Sequence, residues 1–166
     1  MRKVLLVMAL LAVASPAFAD SPDAGALGIG ATFGGNAKIG GGGSVGMDTG
    51  LTASYFLTRE VNLGASIGLS TTSNVGTAFD MQVVGAYYFM REGTSVISPI
   101  AFASAGFSTV SLTNGGGGTG AIFAVGGGLE YFVNKNFGIR VLEGLGLSTN
   151  PTSFAFISRL SLTLYI

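Results

Sequence analysis

The C-terminal stretch "FAFISRLSLTLYI" (154–166) decides the fold class. Large apolar side chains occupy one parity of this stretch with Ser158 as the one break, and the other parity includes Arg159 and Ser161. A period of two puts these sets on opposite faces of a β-strand, whereas a helix would scatter both around its surface. The stretch therefore predicts a strand with one face suited to lipid and the other to a polar interior.

The composition of the whole chain also indicates a protein with a largely apolar outer surface. Hydrophobic residues make up 48% of the chain and charged residues only 10%, against about 25% in an ordinary soluble domain. Mean hydropathy is +0.60, yet beyond the first twenty residues no apolar run approaches the ~20 residues of a membrane-spanning helix. Lipid admits only helices and closed barrels. A soluble β-sandwich is the alternative, but it would have too little polar surface for water.

The N-terminal stretch "MRKVLLVMALLAVASPAFAD" (1–20) is typical of a secretory signal peptide. Arg2 and Lys3 precede a short apolar run, which ends before the small-x-small site at 17–19. A membrane anchor is the alternative, but the run is too short to span comfortably. We expect a cleaved signal peptide over 1–19 and a barrel domain over 20–166. Removing Arg2 and Lys3 leaves six basic and eight acidic residues, which predicts no nucleic-acid partner.

Similar alternation recurs along the chain and predicts an all-β fold, an eight-stranded antiparallel up-and-down transmembrane β-barrel. The connections alternate strictly between long, nearly neutral loops and short, charged turns, which places all short turns and both termini at one end. We expect that end to be periplasmic. The expected loops are 34–43, 71–77, 113–120 and 148–153, the turns are 58–60, 91–94 and 134–136, and the girdle aromatics beside the turns are Tyr55, Tyr87, Phe89, Tyr131 and Phe137.

Catalytic motifs are weak throughout. The two G-x-S-x-G matches, at 42–46 and 64–68, place serine on a strand rather than on a strand-to-helix turn, and the chain has no His to act as base. The glycine-rich stretch 113–120 lacks the G-K-[ST] ending of a phosphate-binding loop. No acidic cluster has metal-ligand spacing. We expect no enzyme activity, no cofactor and no metal site.

Inward-facing charges are the candidate site. Alternation directs five of them into the lumen, where they form either a structural salt-bridge network or a gate that selects solutes. A hairpin centred on Lys135 would place two of them, Glu130 and Arg140, directly opposite each other. Glu143 joins this set only if a bulge after Arg140 turns it inward. The five predicted lumen charges are Asp48, Asp80, Glu130, Arg140 and Arg159.

Two segments resemble a known family. "GGGLEYFVNKNFGIRV" (126–141) resembles the penultimate hairpin of eight-stranded outer-membrane barrels of the OmpA/OmpX type, and "VISPIAFASAGF" (96–107) resembles their proline-bearing strand. The resemblance implies a bacterial outer-membrane protein that is inserted by the barrel-assembly machinery. Full-length OmpA-type proteins carry a periplasmic domain after the barrel, but the length of this sequence leaves no room for one, so we expect none. It also implies contact with outer-membrane lipids and lipopolysaccharide, and we expect a monomer.

Three functions remain open from the sequence. The first is a structural or surface role with a lumen filled by side chains. The second is a narrow pore for small solutes, which the glycine-rich lumen positions favour. The third is adhesion or partner binding through the external loops.

Overall fold

A computed structural model of the protein describes residues 22–41, 49–72, 76–89, 96–149 and 152–166. These residues form eight strands and no helix, so none of them belongs to a helix that could cross a bilayer. The strands are β1 (Leu27–Gly41), β2 (Thr49–Phe56), β3 (Val61–Thr72), β4 (Gly76–Tyr88), β5 (Ile97–Leu112), β6 (Gly117–Asn134), β7 (Phe137–Thr149) and β8 (Thr152–Tyr165).

Each strand pairs antiparallel with the next along the chain, and β8 pairs with β1. The sheet is therefore a closed barrel, which confirms the predicted up-and-down architecture. Closure matters physically because it pairs the first strand with the last, so that neither is a free edge of the sheet.

Side-chain direction follows the predicted period of two. In β8, buried and exposed residues alternate without a break from Thr152 to Tyr165. In β4, Phe79, Met81 and Val83 point outward while the intervening residues are buried. The outer surface is correspondingly apolar, with Leu51 and Leu69 each 62% exposed. An exterior of this kind suits hydrocarbon rather than water.

Two glycine-rich stretches extend strands rather than forming loops. The expected loop 34–43 is wrong at its start, because β1 runs to Gly41 and pairs with β8 as far as Ser153. The expected loop 113–120 is too long, since β6 begins at Gly117 and pairs there with Ser111. A run of glycines has no side chains whose polarity could alternate, so the sequence does not show the strand. The glycine backbone nevertheless forms ladder hydrogen bonds with a partner strand.

Two of the three expected short turns, 58–60 and 134–136, lie at one end of the barrel with the first described residues and the C-terminus, and we name it the short-turn end. Tyr165 N donates to Asn136 O in the turn between β6 and β7, and Leu27 and Ile166 exchange backbone hydrogen bonds. Near the turn after β2, Gly25 N donates to Phe56 O. The third expected turn, 91–94, lies outside the described residues.

Aromatic side chains lie on the outer face beside these turns. Tyr55, Tyr87 and Phe89 are exposed, and the rings of Tyr87 and Phe89 meet edge-on at 5.0 Å. Tyr131 and Phe137 are partly exposed on neighbouring strands. All five occupy the positions expected of an interfacial girdle.

Candidate functional site

The lumen is the candidate site, and its many glycines leave less space than the sequence suggests. The ring of Tyr165 lies between Gly28 and Gly138, and an added Cβ would approach it to 2.8 Å at Gly28 and to 3.1 Å at Gly138. A Cβ at Gly126 would approach Phe102 to 2.8 Å. Inward glycines therefore accommodate large side chains from adjacent strands, and the lumen is filled rather than hollow at these levels.

Four aromatic residues form a layer across the lumen at the short-turn end, which we name the aromatic layer. Phe56, Tyr88, Phe132 and Tyr165 come from the ends of the even-numbered strands, and each is at most 1% exposed. Neighbouring ring centroids lie between 5.2 and 6.5 Å apart. At these distances the rings are in contact, so the layer blocks this end of the barrel.

Glu130 and Arg140 contact this layer. They are directly opposed in the β6–β7 ladder, as a hairpin centred on Lys135 predicts. Arg140 Nε donates to Glu130 Oε2 at 3.0 Å, and both residues are buried. The Arg140 guanidinium also lies 5.7 Å from the centre of the Tyr88 ring.

Two tyrosine hydroxyls join the pair into a closed network. Tyr88 Oη donates to Glu130 Oε2 at 2.6 Å, and Tyr165 Oη donates to Glu130 Oε1 at 2.5 Å. Arg140 Nη2 donates to both hydroxyls, at 3.2 Å for Tyr165. Both carboxylate oxygens are thereby satisfied, which a buried charge requires.

The two tyrosines were absent from the residues predicted for the site. A sequence signal for one of them exists, because Tyr87 faces outward and its neighbour Tyr88 must therefore face the lumen. That Tyr88 on β4 reaches Glu130 on β6 depends on strand tilt and closure, which local alternation does not report.

A second polar group lies on other strands. Arg159 Nη2 donates to Gln82 Oε1 at 3.3 Å, and Ser104 Oγ donates to the same oxygen at 3.0 Å. Asp80 is buried on the same face of β4 as Gln82, two residues away along the strand. The structure thus brings Asp80 and Arg159 into one polar group and Glu130 and Arg140 into another.

Two predicted residues fall elsewhere. Asp48 lies outside the described residues. Glu143 does not join the lumen charges, because the β6–β7 register is unbroken from Ser148 to Gly138 and no bulge turns it inward. Strict alternation places Glu143 on the outer face, where it is exposed between the apolar residues Val141 and Leu145.

A cavity of about 40 Å³ lies within the barrel wall and lumen. Two arginines line it, Arg140 and Arg159, and its other polar lining consists of hydroxyls and the amide of Asn62. Asn62 Nδ2 and Ser66 Oγ, both lining residues, are buried and have no hydrogen-bond partner within the protein. Among the described residues no group of His, Cys, Asp and Glu is arranged to hold a metal ion.

These features define a class of protein: a closed eight-stranded antiparallel barrel with an apolar exterior and a polar, filled lumen has the outer-membrane β-barrel fold. Sequence comparison then shows the family. The chain belongs to the family described as "Putative MetA-pathway of phenol degradation", whose model matches residues 19–164. A search of curated proteins found no significant match.

Solved structures show the same fold. The N-terminal β-barrel domain of Pseudomonas aeruginosa OprF is similar at 18% identity and a TM-score of 0.57, over 85% of this chain and 98% of that one. Neisserial surface protein A is similar at 15% identity and a TM-score of 0.52, over 85% of this chain and 95% of that one. The attachment invasion locus protein Ail of Yersinia pestis is similar at 16% identity and a TM-score of 0.51, over 86% of this chain and 99% of that one.

Proposed function

We propose that the protein is an integral bacterial outer-membrane protein with a structural or surface role and a lumen closed by side chains. The observation that carries this proposal is the aromatic layer together with the Glu130–Arg140 network above it. Tightly packed rings and a fully satisfied ion pair are characteristic of a rigid core. A path for solute would instead require a continuous polar channel through the same level.

The proposed location rests on the barrel's exterior. Its apolar outer face and its aromatic girdle suit insertion into a bilayer, with the short-turn end at the periplasm. The signal-peptide pattern at 1–19 is consistent with export. The proposal includes outer-membrane lipids and lipopolysaccharide as surroundings, the barrel-assembly machinery during insertion, a monomeric state and no catalytic activity.

Fractionation tests the location. The mature chain should separate with outer membranes and, once purified in detergent, should migrate differently on gels before and after boiling, as folded barrels do. Recovery in the soluble periplasmic fraction, without heat-dependent mobility, would refute the proposal. The same purified protein in planar bilayers should show no stable conductance steps, and reproducible channels would refute the closed lumen.

A narrow pore is the second candidate, and the lumen cavity favours it. The family's description refers to phenol degradation, which would make a small aromatic compound the natural solute to test. At about 40 Å³ the cavity is too small for an aromatic ring, for which a cavity of roughly 150 Å³ is known to suffice, so passage would require lumen side chains to move aside. Liposomes containing the protein should then take up phenol faster than empty liposomes, and equal rates would exclude this candidate.

A further inference from the structure

Hydroxyl side chains lie on the outer face at the end opposite the short-turn end, which we name the long-loop end. Below them, toward mid-height, β4, β5 and β8 each turn a phenylalanine outward: Phe79, Phe107 and Phe154. Phenylalanine suits hydrocarbon and a hydroxyl suits the polar interface, so these hydroxyls lie where headgroups meet the barrel. We name the six outward residues the hydroxyl belt: Thr77, Thr109, Ser111, Thr119, Thr149 and Thr152.

The belt is uncharged. Among the residues whose side chains the structure describes, the charged ones outside the lumen lie at the short-turn end or, for Glu143, at mid-height. Those at the short-turn end are Asp23, Arg59, Glu60 and Lys135. A headgroup at the level of the belt therefore meets hydroxyl groups rather than an opposite charge of these side chains.

Two hydroxyls of the belt have fixed hydrogen-bonding roles. Thr149 and Thr152 are paired in the β7–β8 ladder, and both are exposed. Ala121 N donates to Thr149 Oγ1 at 2.9 Å, so the Thr149 hydroxyl keeps its own hydrogen for a further acceptor. Thr152 Oγ1 donates to Thr149 O at 3.4 Å, so the Thr152 hydroxyl keeps its lone pairs for a further donor. A donor and an acceptor thus lie side by side at the rim.

This pair distinguishes headgroups by their hydrogen-bonding chemistry. A phosphodiester only accepts and an ammonium group only donates, so each uses just one of the two hydroxyls. A sugar carries neighbouring hydroxyl groups, each of which donates and accepts. One sugar hydroxyl can accept from Thr149 while the next donates to Thr152. Water has the same chemistry, but no acyl chains hold it beside the phenylalanine side chains.

We infer that Thr149 and Thr152 form a docking site for the sugar headgroup of a glycolipid, recognised through its hydroxyls rather than through charge. The acyl chains of this lipid lie against Phe154 and the apolar face below it. The inference rests on the proposed insertion into an outer membrane and names a lipid class for the leaflet at the long-loop end. Thr109 and Thr119, whose Oγ1 atoms are 2.9 Å apart, extend the same surface toward β4.

A galactosyl diacylglycerol with brominated acyl chains is the probe. The chain has no tryptophan, so Phe154→Trp adds a single fluorophore that brominated lipids quench only on contact. The mature variant is inserted into phosphatidylcholine vesicles that contain a brominated lipid with a galactosyl, phosphocholine or phosphomethanol headgroup. We expect the galactosyl lipid to quench at about a threefold lower mole fraction than brominated phosphatidylcholine, the effect of about one net hydrogen bond. The reporter Leu164→Trp, at the short-turn end of the same strand, should be quenched equally by all three.

Variants in the Phe154→Trp background locate the site. Thr149→Val with Thr152→Val removes both hydroxyls at nearly constant shape, and the preference for the galactosyl lipid should disappear. Ser158→Ala is the matched control, because it removes an outward hydroxyl from mid-height of β8, and should leave the preference unchanged. Thr152→Val alone keeps the contact between Ala121 and Thr149, and its loss of preference decides if the double variant fails to fold.

Heat-dependent gel mobility reports insertion separately from lipid preference. Loss of that mobility shift in the wild-type protein would refute the proposed membrane location. An inserted barrel that is quenched equally by the galactosyl lipid and phosphatidylcholine, or whose preference survives both valine substitutions, overturns the inference in favour of water at the rim. Stronger quenching by the anionic phosphatidylmethanol than by the galactosyl lipid overturns it in favour of recognition by charge.

Discussion

The Glu130–Arg140 pair shows how a single contact joins sequence pattern and barrel structure. The two-residue alternation of the strands points both side chains inward, and a hairpin centred on Lys135 places the two residues directly opposite each other. The pair was therefore predictable from residues 130–140 alone. Its tyrosine partners were not, because they lie on β4 and β8 and meet the pair only after closure. The site was therefore predictable where it depends on one hairpin and unpredictable where it depends on the whole barrel.

Removing the cation of this pair should destabilise the fold strongly. Arg140→Leu leaves the Glu130 carboxylate buried with only two tyrosine donors, and stranding one partner of a buried ion pair costs about 3–5 kcal/mol. Urea unfolding in lipid vesicles measures the loss. The exposed Arg59→Leu is the control and should change stability by less than about 1 kcal/mol. Stability of Arg140→Leu equal to that of the control would show that the pair contributes little.

Glycine at 138 is required by the same network. An added methyl group there would overlap Glu130 Oε1 and press on the Tyr165 ring. We expect Gly138→Ala to destabilise the barrel by about 1–3 kcal/mol through overpacking. Gly85→Ala is the matched control, because nothing lies within 4 Å of the Cβ it would add. Equal unfolding midpoints for the two variants would mean that the carboxylate moves aside at no cost.

At the scale of the element, alternation determined which face each strand presents but not where each strand ends. Residues 34–41 lack large apolar side chains at regular spacing, so their sequence indicates a loop, while their pairing with β8 makes them strand. Strand length near the long loops is thus set by the neighbouring strand. A deletion that tests loop function should therefore fall within 42–48 and spare 34–41, which β8 needs as a partner.

β7 contains Glu143, the one charged residue on the outer face among the strand positions whose side chains the structure describes. It sits at the centre of β7, opposite Ser158 of β8 and Gly127 of β6. A charge at this depth is unfavourable in lipid, and for an acid the cost is below the ~2–4 kcal/mol found for Arg or Lys.

Replacing that carboxyl with an apolar side chain should stabilise the barrel. We expect Glu143→Leu to raise the free energy of unfolding in lipid vesicles by about 1–2 kcal/mol, and to do less in detergent. Ser158→Leu, at the paired position, is the control for added apolar volume and should give a smaller gain. A loss of stability in Glu143→Leu would instead reveal a favourable contact made by the carboxylate.

At the scale of the molecule, the filling of the lumen by side chains and the closure of the sheet into a barrel depend on the same packing. An eight-stranded barrel has an interior just wide enough for side chains, and this chain places glycines beside its largest inward rings so that they fit. Composition alone indicated the opposite, because glycine-rich inward faces suggest empty space. Which glycine lies beside which ring is a property of the register between strands, and it explains why the lumen was harder to predict than the exterior.

Opening the aromatic layer should convert the closed barrel into a leaky one. In the double variant Phe56→Ala, Phe132→Ala, two fully buried rings are lost from a layer that four rings complete, so water and small ions gain a path past the Glu130–Arg140 network. Planar-bilayer recordings should show conductance steps more often than for the wild-type protein. The matched control is Phe79→Ala, Phe107→Ala, which removes a pair of contacting rings from the outer face and should stay silent. If the wild-type protein conducts as often as the double variant, the aromatic layer is not the barrier and the pore becomes the better account of the lumen.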